Sequence, residues 1–387
     1  MRKKTNQNIK IENKAVKYRI YPNKEQEVLM VKTFGCCRKI WNLMLNDKLV
    51  SYDKTKSFGK QYPSNYKEEY PFLKEVDSLA LANVQLNLEQ AFKNCFKHKH
   101  CRFPKFKAAK KSRKSYTTNN IKSKNGTCSI EIFKNAIKLP KLKMIKAKIH
   151  RVFEGWSIKS VTISKDSDAK YYASVLYEKE VEDKSTTLNH LNSIGLDYKS
   201  DGLYKDSNGN TGSNHKFFRR MQKKLGKAQR KLSKMKGNKK NEEKSKNFEK
   251  QLVKIAKIHK KISNQRLDNL HKISTEIANH VDIVCAETLN MKAIANKGFK
   301  NGKATYDNGY GKFLELLEYK LKDRNKFFIK VDKFFPSSQI CYNCGSKQKL
   351  ALNERTYICD CGYIADRDEN AANNIRREGL RLLGFSI

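Results

Sequence analysis

Long apolar runs and acidic residues are scarce in this chain of 387 residues. No stretch of 18 apolar residues occurs, which excludes a membrane-spanning helix. Asp and Glu number 39 against 82 Lys and Arg, so the formal net charge is +43 and is spread along the sequence. Solubility alone requires a net charge of only roughly 2–8 in a small domain. The excess predicts a polyanionic partner, and we expect nucleic acid rather than a membrane or an acidic protein.

No histidine follows residue 280, but four cysteines lie beyond it in two close pairs. The pairs are Cys341-x2-Cys344 and Cys359-x-Cys361, and a glycine directly follows each pair. Four thiolates in this pattern suit a closed, structural zinc site, although two unrelated thiol pairs are an alternative. The first ten residues lack the apolar core of a secretory signal, so we expect the cysteines to be reduced in the cytoplasm.

The segment from Gln90 to Ile130 contains no acidic residue. It carries twelve Lys or Arg with aromatic residues set among them, which suits contacts to phosphates together with stacking on bases. A solvated loop would have no reason to exclude acids. The candidate nucleic-acid contacts in this segment are Lys105, Lys107, Lys110, Lys111, Arg113 and Tyr116.

Residue periodicity in the first half predicts a sheet with a helical insertion. Residues 15–21 predict a strand, and residues 24–50 and 79–97 predict helices because their apolar residues recur at steps of three and four. Residues 129–178 alternate and are rich in β-branched and aromatic residues, a pattern typical of an antiparallel sheet or small barrel. We expect this sheet to pair with the N-terminal strand.

The second half alternates strands with helices, which is typical of an α/β domain. The predicted elements are strands at 193–197, 202–207, 282–288 and 327–335 and helices at 311–326 and 369–383. A lysine-rich helical hairpin over 215–278, broken at Gly237 and Asn238, is also predicted from its heptad pattern. We expect its cations, including Arg219 and Arg220, to contact phosphates, although a hairpin with solvated lysines is an alternative.

Three carboxylates lie where these elements begin or end. Asp197 ends the first apolar strand, Glu287 ends the second long strand, and Asp368 opens the last helix. Hydrolysis of a phosphodiester by two divalent ions requires several carboxylates from different elements, with positions left open for water and phosphate. Strand ends that meet a helix start can supply this arrangement. Each residue also has a simpler interpretation, as a turn, a solvated side chain or a helix cap.

Other chemistries lack their residues. The chain has no G-x4-G-K-[ST] phosphate loop. His98-Lys99-His100 is not the pair of histidines around a bulky apolar residue that tyrosine-nucleophile transposases use. No Ser/His/Asp set is recognisable.

Four segments resemble, in sequence and in order, the TnpB (OrfB) proteins of insertion sequences. They are IGLDYKSDGLY, CAETLNMKAI, the run from CYNCG to CDCG, and ADRDENAANNI. The N-terminal VKYRIYPNKEQE and TFGCCRKIWN and the basic FPKFKAAKKSRKSYTTNN are also similar to that family. The resemblance therefore covers essentially the whole chain, and the element from Asp368 to Ile375 is its most specific part.

The resemblance implies an α+β multidomain fold. A RuvC-like (RNase H-like) α/β nuclease domain with an inserted zinc ribbon would follow a wedge-like β-barrel domain with a helical recognition insertion. The implied bounds are 1–22 and 128–188 for the barrel, 23–127 for the recognition insertion, 189–335 and 365–387 for the nuclease domain, and 336–364 for the ribbon.

The resemblance also implies roles for single residues. Asp197, Glu287 and Asp368 would be the catalytic ligands of two Mg²⁺ ions, Asp366 a weaker candidate for metal contact, and the four clustered cysteines the ligands of one structural Zn²⁺. One departure concerns Lys199, since many relatives place glycine two residues after the first aspartate. We expect its long side chain either to crowd the metals or to bind phosphate.

The implied function is that of an RNA-guided DNA endonuclease encoded by a transposable element. It would bind a guide RNA from the transposon end and cut double-stranded DNA beside a short transposon-adjacent motif. The alternatives are a nuclease-inactive RNA-guided repressor, a CRISPR effector, and an accessory transposase that joins strands, for which no nucleophile is visible. A separately encoded transposase is a further expected partner, and the bacterial cytoplasm, at the nucleoid, is the expected location.

Overall fold

The computed structural model describes residues 9–110, 112–123, 125–182, 190–235, 243–296, 302–351 and 354–385. The chain divides into two compact units, Met1–Asp183 and Lys184–Ile387, and each has hydrophobic clusters of its own. Among the helices of the described ranges, none has the length and apolar character needed to cross a membrane.

The first unit combines an antiparallel sheet with two long helices. Its strands are β1 (Ile9–Tyr21), β2 (Lys114–Asn119), β3 (Glu131–Phe133), β4 (Ala136–Leu139), β5 (Lys143–Lys148), β6 (Ser157–Lys165) and β7 (Tyr171–Glu182). Its helices are α1 (Lys24–Thr55), α2 (Ser78–Lys97) and two short 3-10 helices, Pro63–Tyr66 and Pro71–Lys74.

Strand β1 organises the sheet of the first unit, whose order is β2-β6-β7-β1-β5-β4-β3. β1 pairs with β7 along nearly its whole length and with β5 at its end. Val16, Tyr18 and Ile20 alternate along it and are buried, which is the period of two that a half-buried strand requires. The predicted strand at 15–21 is confirmed and starts earlier, at Ile9.

The two helices of the first unit begin at side-chain caps. Asn23 accepts a hydrogen bond from the amide of Gln26, and the Gln26 side chain accepts one from the amide of Asn23, so α1 starts with a capping box. Asp77 caps α2 by accepting from the amide of Leu79. Both predicted helices are confirmed.

The segment expected to form a helical insertion, residues 23–127, also contains a strand. β2 forms an edge of the sheet and pairs with β6, where Tyr116 lies opposite Ile163. Tyr116 and Thr118 are buried, while the residues between and beside them are not. The segment therefore has the alternation of a strand at the edge of a sheet and not the periodicity of a helix.

The second unit is an α/β fold. Its strands are β8 (Ser193–Tyr198), β9 (Tyr204–Asp206), β10 (Ile283–Glu287), β11 (Phe327–Val331), β12 (Thr356–Ile358) and β13 (Ile364–Asp366). Its helices are α3 (Phe217–Ser233), α4 (Lys246–His280), α5 (Met291–Ile294), α6 (Gly302–Asn308), α7 (Tyr310–Lys322) and α8 (Arg367–Leu382). All six predicted elements outside the hairpin are confirmed in type, and the strand predicted over 327–335 is shorter, since β11 ends at Val331.

The main sheet of the second unit has the order β11-β10-β8-β9. β8, β10 and β11 run parallel, and β9 returns antiparallel to β8. Ile283 and Cys285 of β10 belong to the apolar cluster that includes α8, whereas Val284 and Ala286 belong to the cluster with α4 and α7. The central strand is therefore covered on both faces, which explains its continuous apolar sequence.

The lysine-rich hairpin consists of α3 and α4. Leu225 and Ala228 of α3 pack against Ile258 and Ile262 of α4 in a small core of their own. The predicted helix pair is thus confirmed. The predicted break at Gly237 and Asn238 lies outside the described residues.

Candidate active site and metal centre

The parallel strands bring two of the three candidate acids to one edge of the sheet. Leu196 lies opposite Ala286 in the β8–β10 ladder, so Asp197 and Glu287 come one residue later on neighbouring strands. Gly195 and Cys285, two residues before the acids, both contact α8. Since side chains alternate along a strand, Asp197 and Glu287 lie on the face of the sheet that α8 covers.

Two glycines allow α8 to approach this face closely. A Cβ atom at Gly195 would overlap the backbone carbonyl of Ala372, and one at Gly379 would overlap the Sγ atom of Cys285. No larger residue fits either place without displacing the helix or the strand. The Gly195 contact holds the early turns of α8, which follow Asp368, against β8, and the Gly379 contact holds its later turns against β10.

Asp366, and not Asp368, caps α8. The Asp366 carboxylate accepts hydrogen bonds from the amides of Asp368 and Glu369 at 3.0 and 3.1 Å. The simpler interpretation of Asp368 as the helix cap is therefore wrong. The cap leaves the Asp368 side chain, in the first turn, available to the strand ends.

Asp197 lies within electrostatic range of the other two acids. Burial, followed by the charges of Asp368 and Glu287, raises the pKa of Asp197 to about 8. Burial, followed by the charge of Asp332, raises the pKa of Glu287 to about 7. Such shifts mean that the ionised carboxylates repel one another in a poorly hydrated place.

A divalent cation would relieve this repulsion, and carboxylate oxygens are the ligands that Mg²⁺ prefers. The donor chemistry of the three acids therefore fits Mg²⁺. Among the described residues, the carboxylate oxygens of the three acids do not all lie within 4.8 Å of one another. The sulfur atoms of the four clustered cysteines do.

Two neighbours of the acids modify the charge of the site. The Nζ atom of Lys199 lies 3.0 Å from Oδ2 of Asp368 in a salt bridge. Asp332 directly follows β11, where Val331 lies opposite Glu287. Sequence reasoning missed Asp332, although its place at the end of a parallel strand is the signal that identified Asp197 and Glu287.

The four clustered cysteines form the candidate zinc centre. Their Sγ atoms all lie within 4.8 Å of one another, with Cys341–Cys361 at 3.7 Å and Cys344–Cys359 at 3.6 Å. Gly345 and Gly362 have φ values of +78° and +86°, so each glycine allows the tight turn after its pair.

Hydrogen bonding favours a thiolate at Cys344, whereas burial raises the pKa of Cys341 to about 11. Bonds from the side chain and amide of Ser346 lower the pKa of Cys344 to about 6. A metal-ligating cysteine must be deprotonated, so this environment suits a metal centre. With its all-sulfur donor set, the cluster fits zinc.

The candidate nucleic-acid contacts differ in exposure. Lys105, Lys107, Lys110, Arg113, Arg219 and Arg220 are exposed. Lys111 lies outside the described residues. Tyr116 is only 7% exposed and packs against Phe34 in the core of the first unit, so its ring is not available for stacking on a base, as the sequence had suggested.

The basic segment after α2 is anchored to α1. The indole Nε1 of Trp41 donates to the carbonyl of Lys105, and Asn42 exchanges two hydrogen bonds with the backbone of Lys107. The Lys107 ammonium lies 3.4 Å from the centroid of the Trp41 ring. These anchors hold the backbone of a segment whose lysine side chains are exposed.

Three protein-family patterns match the chain. Residues 174–297 match a family described as "Probable transposase" (OrfB_IS605), residues 310–375 match "Cas12f1-like, TNB domain", and residues 12–57 match "Helix-turn-helix domain" (HTH_OrfB_IS605). In this structure residues 12–57 consist of most of β1 and the single helix α1, so the helix-turn-helix of that description is not formed there.

Two curated relatives match nearly the whole chain. A "Putative RNA-guided DNA endonuclease" of Streptomyces pristinaespiralis is 32% identical over 380 residues, covering 95% of this chain and 89% of the relative. The "Putative RNA-guided DNA endonuclease InsQ" of Escherichia coli K12 is 30% identical over 396 residues, covering 95% and 93%.

A solved structure shares the fold. The Cas12f1 chain in a cryo-EM structure of the Cas12f1–sgRNA–target DNA complex aligns with a TM-score of 0.56 at 13% identity, covering 95% of this chain and 99% of that one. This match, the match to the TNB domain, the mixed α/β content and the four-cysteine cluster together fit a RuvC-like multidomain fold. With the two relatives above, the chain belongs to the TnpB (OrfB) family of insertion-sequence-encoded RNA-guided endonucleases.

Proposed function

We propose that this chain is an RNA-guided, Mg²⁺-dependent DNA endonuclease that cuts through a single RuvC-like site. The observation that carries the proposal is the position of Asp197 and Glu287 at the ends of neighbouring parallel strands, with Asp368 in the first turn of α8, in a chain whose relatives are named putative RNA-guided DNA endonucleases. The net charge of +43 supports a nucleic-acid partner.

In this proposal Asp197, Glu287 and Asp368 hold a pair of Mg²⁺ ions. Bound ions of this kind supply an activated water and stabilise the departing oxygen of the phosphodiester. The carboxylates come from two strands and one helix, so the rigid sheet fixes their relative positions. Asp197 and Glu287 are half-buried, so bulk water reaches them only in part.

The four cysteines, in the same proposal, bind one Zn²⁺ ion. Four sulfur ligands leave no open position for water, so the ion would be structural and would hold the two knuckles together.

The partners proposed are a guide RNA from the transposon end and double-stranded target DNA beside a short adjacent motif. The exposed cations of the segment after α2 and of the first turn of α3 would contact phosphates. Each phosphate neutralised contributes a slope of roughly −0.7 to −0.9 to the dependence of log affinity on log salt. A separately encoded transposase and an association with the nucleoid remain predictions.

The test uses the full chain with the RNA that co-purifies with it. Asp197→Asn, Glu287→Gln and Asp368→Asn should each abolish Mg²⁺-dependent cutting of a matching DNA and leave RNA and DNA binding nearly intact. Double variants should lose little more cutting activity than single variants, because the effects of residues that act as a unit are not additive.

Asp366→Asn is the matched control, because Asn is also a good helix cap and keeps α8 in place. If Asp366→Asn stops cutting while Asp368→Asn does not, the metal ligand has been assigned two residues too late. If all three acid variants cut like the parent, the site lies elsewhere. A parent chain that binds guided DNA without cutting it would establish the alternative, a repressor.

A further inference from the structure

Lys199 forms the closest charge contact of the acidic site. Its Nζ atom lies 3.0 Å from Oδ2 of Asp368, and the two side chains are 26% and 19% exposed. Among the described residues, it is the one salt bridge that any of the three proposed metal-binding acids makes. A cation in this position occupies a carboxylate oxygen that a divalent ion would use.

The backbone that carries Lys199 is anchored. The Asn308 side chain, which is buried, donates a hydrogen bond to the carbonyl of Lys199 at 2.9 Å and a second one to the carbonyl of Gly202. The loop between β8 and β9 is therefore held at both ends by one amide group. Only the side chain of Lys199 needs to move for its ammonium to leave Asp368.

The neighbouring lysine offers a comparison. Lys205 on β9 approaches Glu369 at 4.0 Å and donates to the carbonyl of Gly209 at 2.6 Å. Glu369 is the residue after Asp368 but is not among the proposed ligands. Two lysines thus reach the first turn of α8, and only Lys199 contacts a proposed metal ligand.

We propose that Lys199 is an internal counter-ion of the acidic site, whose ammonium holds Asp368 in the ion-free chain and competes with the divalent cation for that carboxylate. The inference rests on the proposed function, because it concerns the same carboxylates. It follows that this chain binds divalent ions more weakly than its three acids alone would, and that the Lys199 side chain swings away from Asp368 when the site is occupied.

The experiment measures the affinity of the full chain for Mn²⁺, by electron paramagnetic resonance or calorimetry, without nucleic acid. Lys199→Met removes the charge and keeps the length of the side chain, so Mn²⁺ binding should tighten by about threefold or more, as expected for the loss of a competing, partly buried ion pair. Lys199→Arg keeps the charge and should bind Mn²⁺ like the parent. Thermal unfolding without added Mn²⁺ checks that each variant folds, and Lys199→Gln is a second neutral variant.

The matched control is Lys205→Met, which removes the same charge from the same end of α8 and should leave Mn²⁺ affinity unchanged. Equal tightening in both methionine variants would reduce the effect to net charge and overturn the inference, as would unchanged or weaker binding in Lys199→Met. Asp368→Asn separates the two claims. If Asp368→Asn loses Mn²⁺ binding but the neutral variants of Lys199 do not bind Mn²⁺ more tightly than the parent, only the counter-ion role of Lys199 is wrong. If it binds like the parent, the proposed metal site fails as well.

Discussion

The side chain of Asn370 joins the helix of Asp368 to Tyr342 in the first cysteine knuckle. Its Oδ1 atom accepts a hydrogen bond from the amide of Tyr342 at 3.0 Å, and its Nδ2 atom donates to the carbonyl of Ile340 at 2.8 Å. One turn later, Asn374 donates to the carbonyl of Ser337 at 2.9 Å. The two asparagines of the last motif therefore couple the segment that carries the first cysteine pair to α8.

Replacing Asn370 with Ala should loosen this coupling. The side chain is fully buried, so the change leaves the Tyr342 amide without its partner, whereas the Ile340 carbonyl still accepts a hydrogen bond from Asn374. Urea unfolding should show a fall of about 1–3 kcal/mol, the cost of one unsatisfied group. Asn373→Ala is the control, because among the described residues that side chain bonds to the carbonyl of Glu369, within α8. Equal losses in the two variants would contradict the coupling.

Gly195→Ala should displace α8 from the sheet. The added Cβ would overlap the carbonyl of Ala372, which belongs to the helix backbone and cannot rotate away. We expect a loss of more than about 3 kcal/mol in unfolding free energy or, if the chain adjusts, loss of cutting. The control is Gly226→Ala in α3, where the Cβ meets open space, and it should stabilise the chain by about 0.5–1 kcal/mol. A parent-like Gly195→Ala would show that the close approach is not required.

Metal analysis should find one zinc per chain. Replacing Cys344 with Ser removes one ligand of a four-sulfur shell, so zinc content should fall sharply and the ribbon should become sensitive to proteases. Cys95→Ser, a scattered thiol of the first unit, serves as the control and should retain zinc. A zinc-free parent chain that is folded and active would contradict the assignment.

The stability of the chain without added Mg²⁺ should depend on pH through Asp197. Its pKa is raised to about 8, so between its unfolded value near 3.8 and that pH the native chain holds a proton that the unfolded chain has released. The native state therefore loses stability as pH rises through this window. The Asp197→Asn variant lacks this pH dependence. The difference in unfolding free energy between the variant and the parent should therefore shift in favour of the variant from about pH 5 to about pH 8.5. Urea unfolding at the two pH values measures it, with the exposed Asp201→Asn as control. An advantage independent of pH would contradict the shift.

Much of the second unit could be predicted because its signals are local. Apolar strands of five or six residues, amphipathic helices and paired cysteines with glycines each depend on neighbours in the sequence. The strand at 114–119 was missed because its alternation lies inside a basic stretch, and pairing with β6 decides its structure. The place of Tyr116 in the core was missed for the same reason, since an aromatic residue among lysines suits either a core or a base.

The sequence by itself determined the charge, the order of the elements, the two cysteine pairs and the candidate acids, because these follow from residue type and spacing. Only the tertiary structure decided which groups share a charge environment. The pairing of Lys199 with Asp368 and the repulsion of Asp197 by two other acids join residues that are far apart in the sequence. Hydrogen bonds and salt bridges act over a few ångströms, and the packing of α8 onto glycines in β8 and in the helix itself sets those distances.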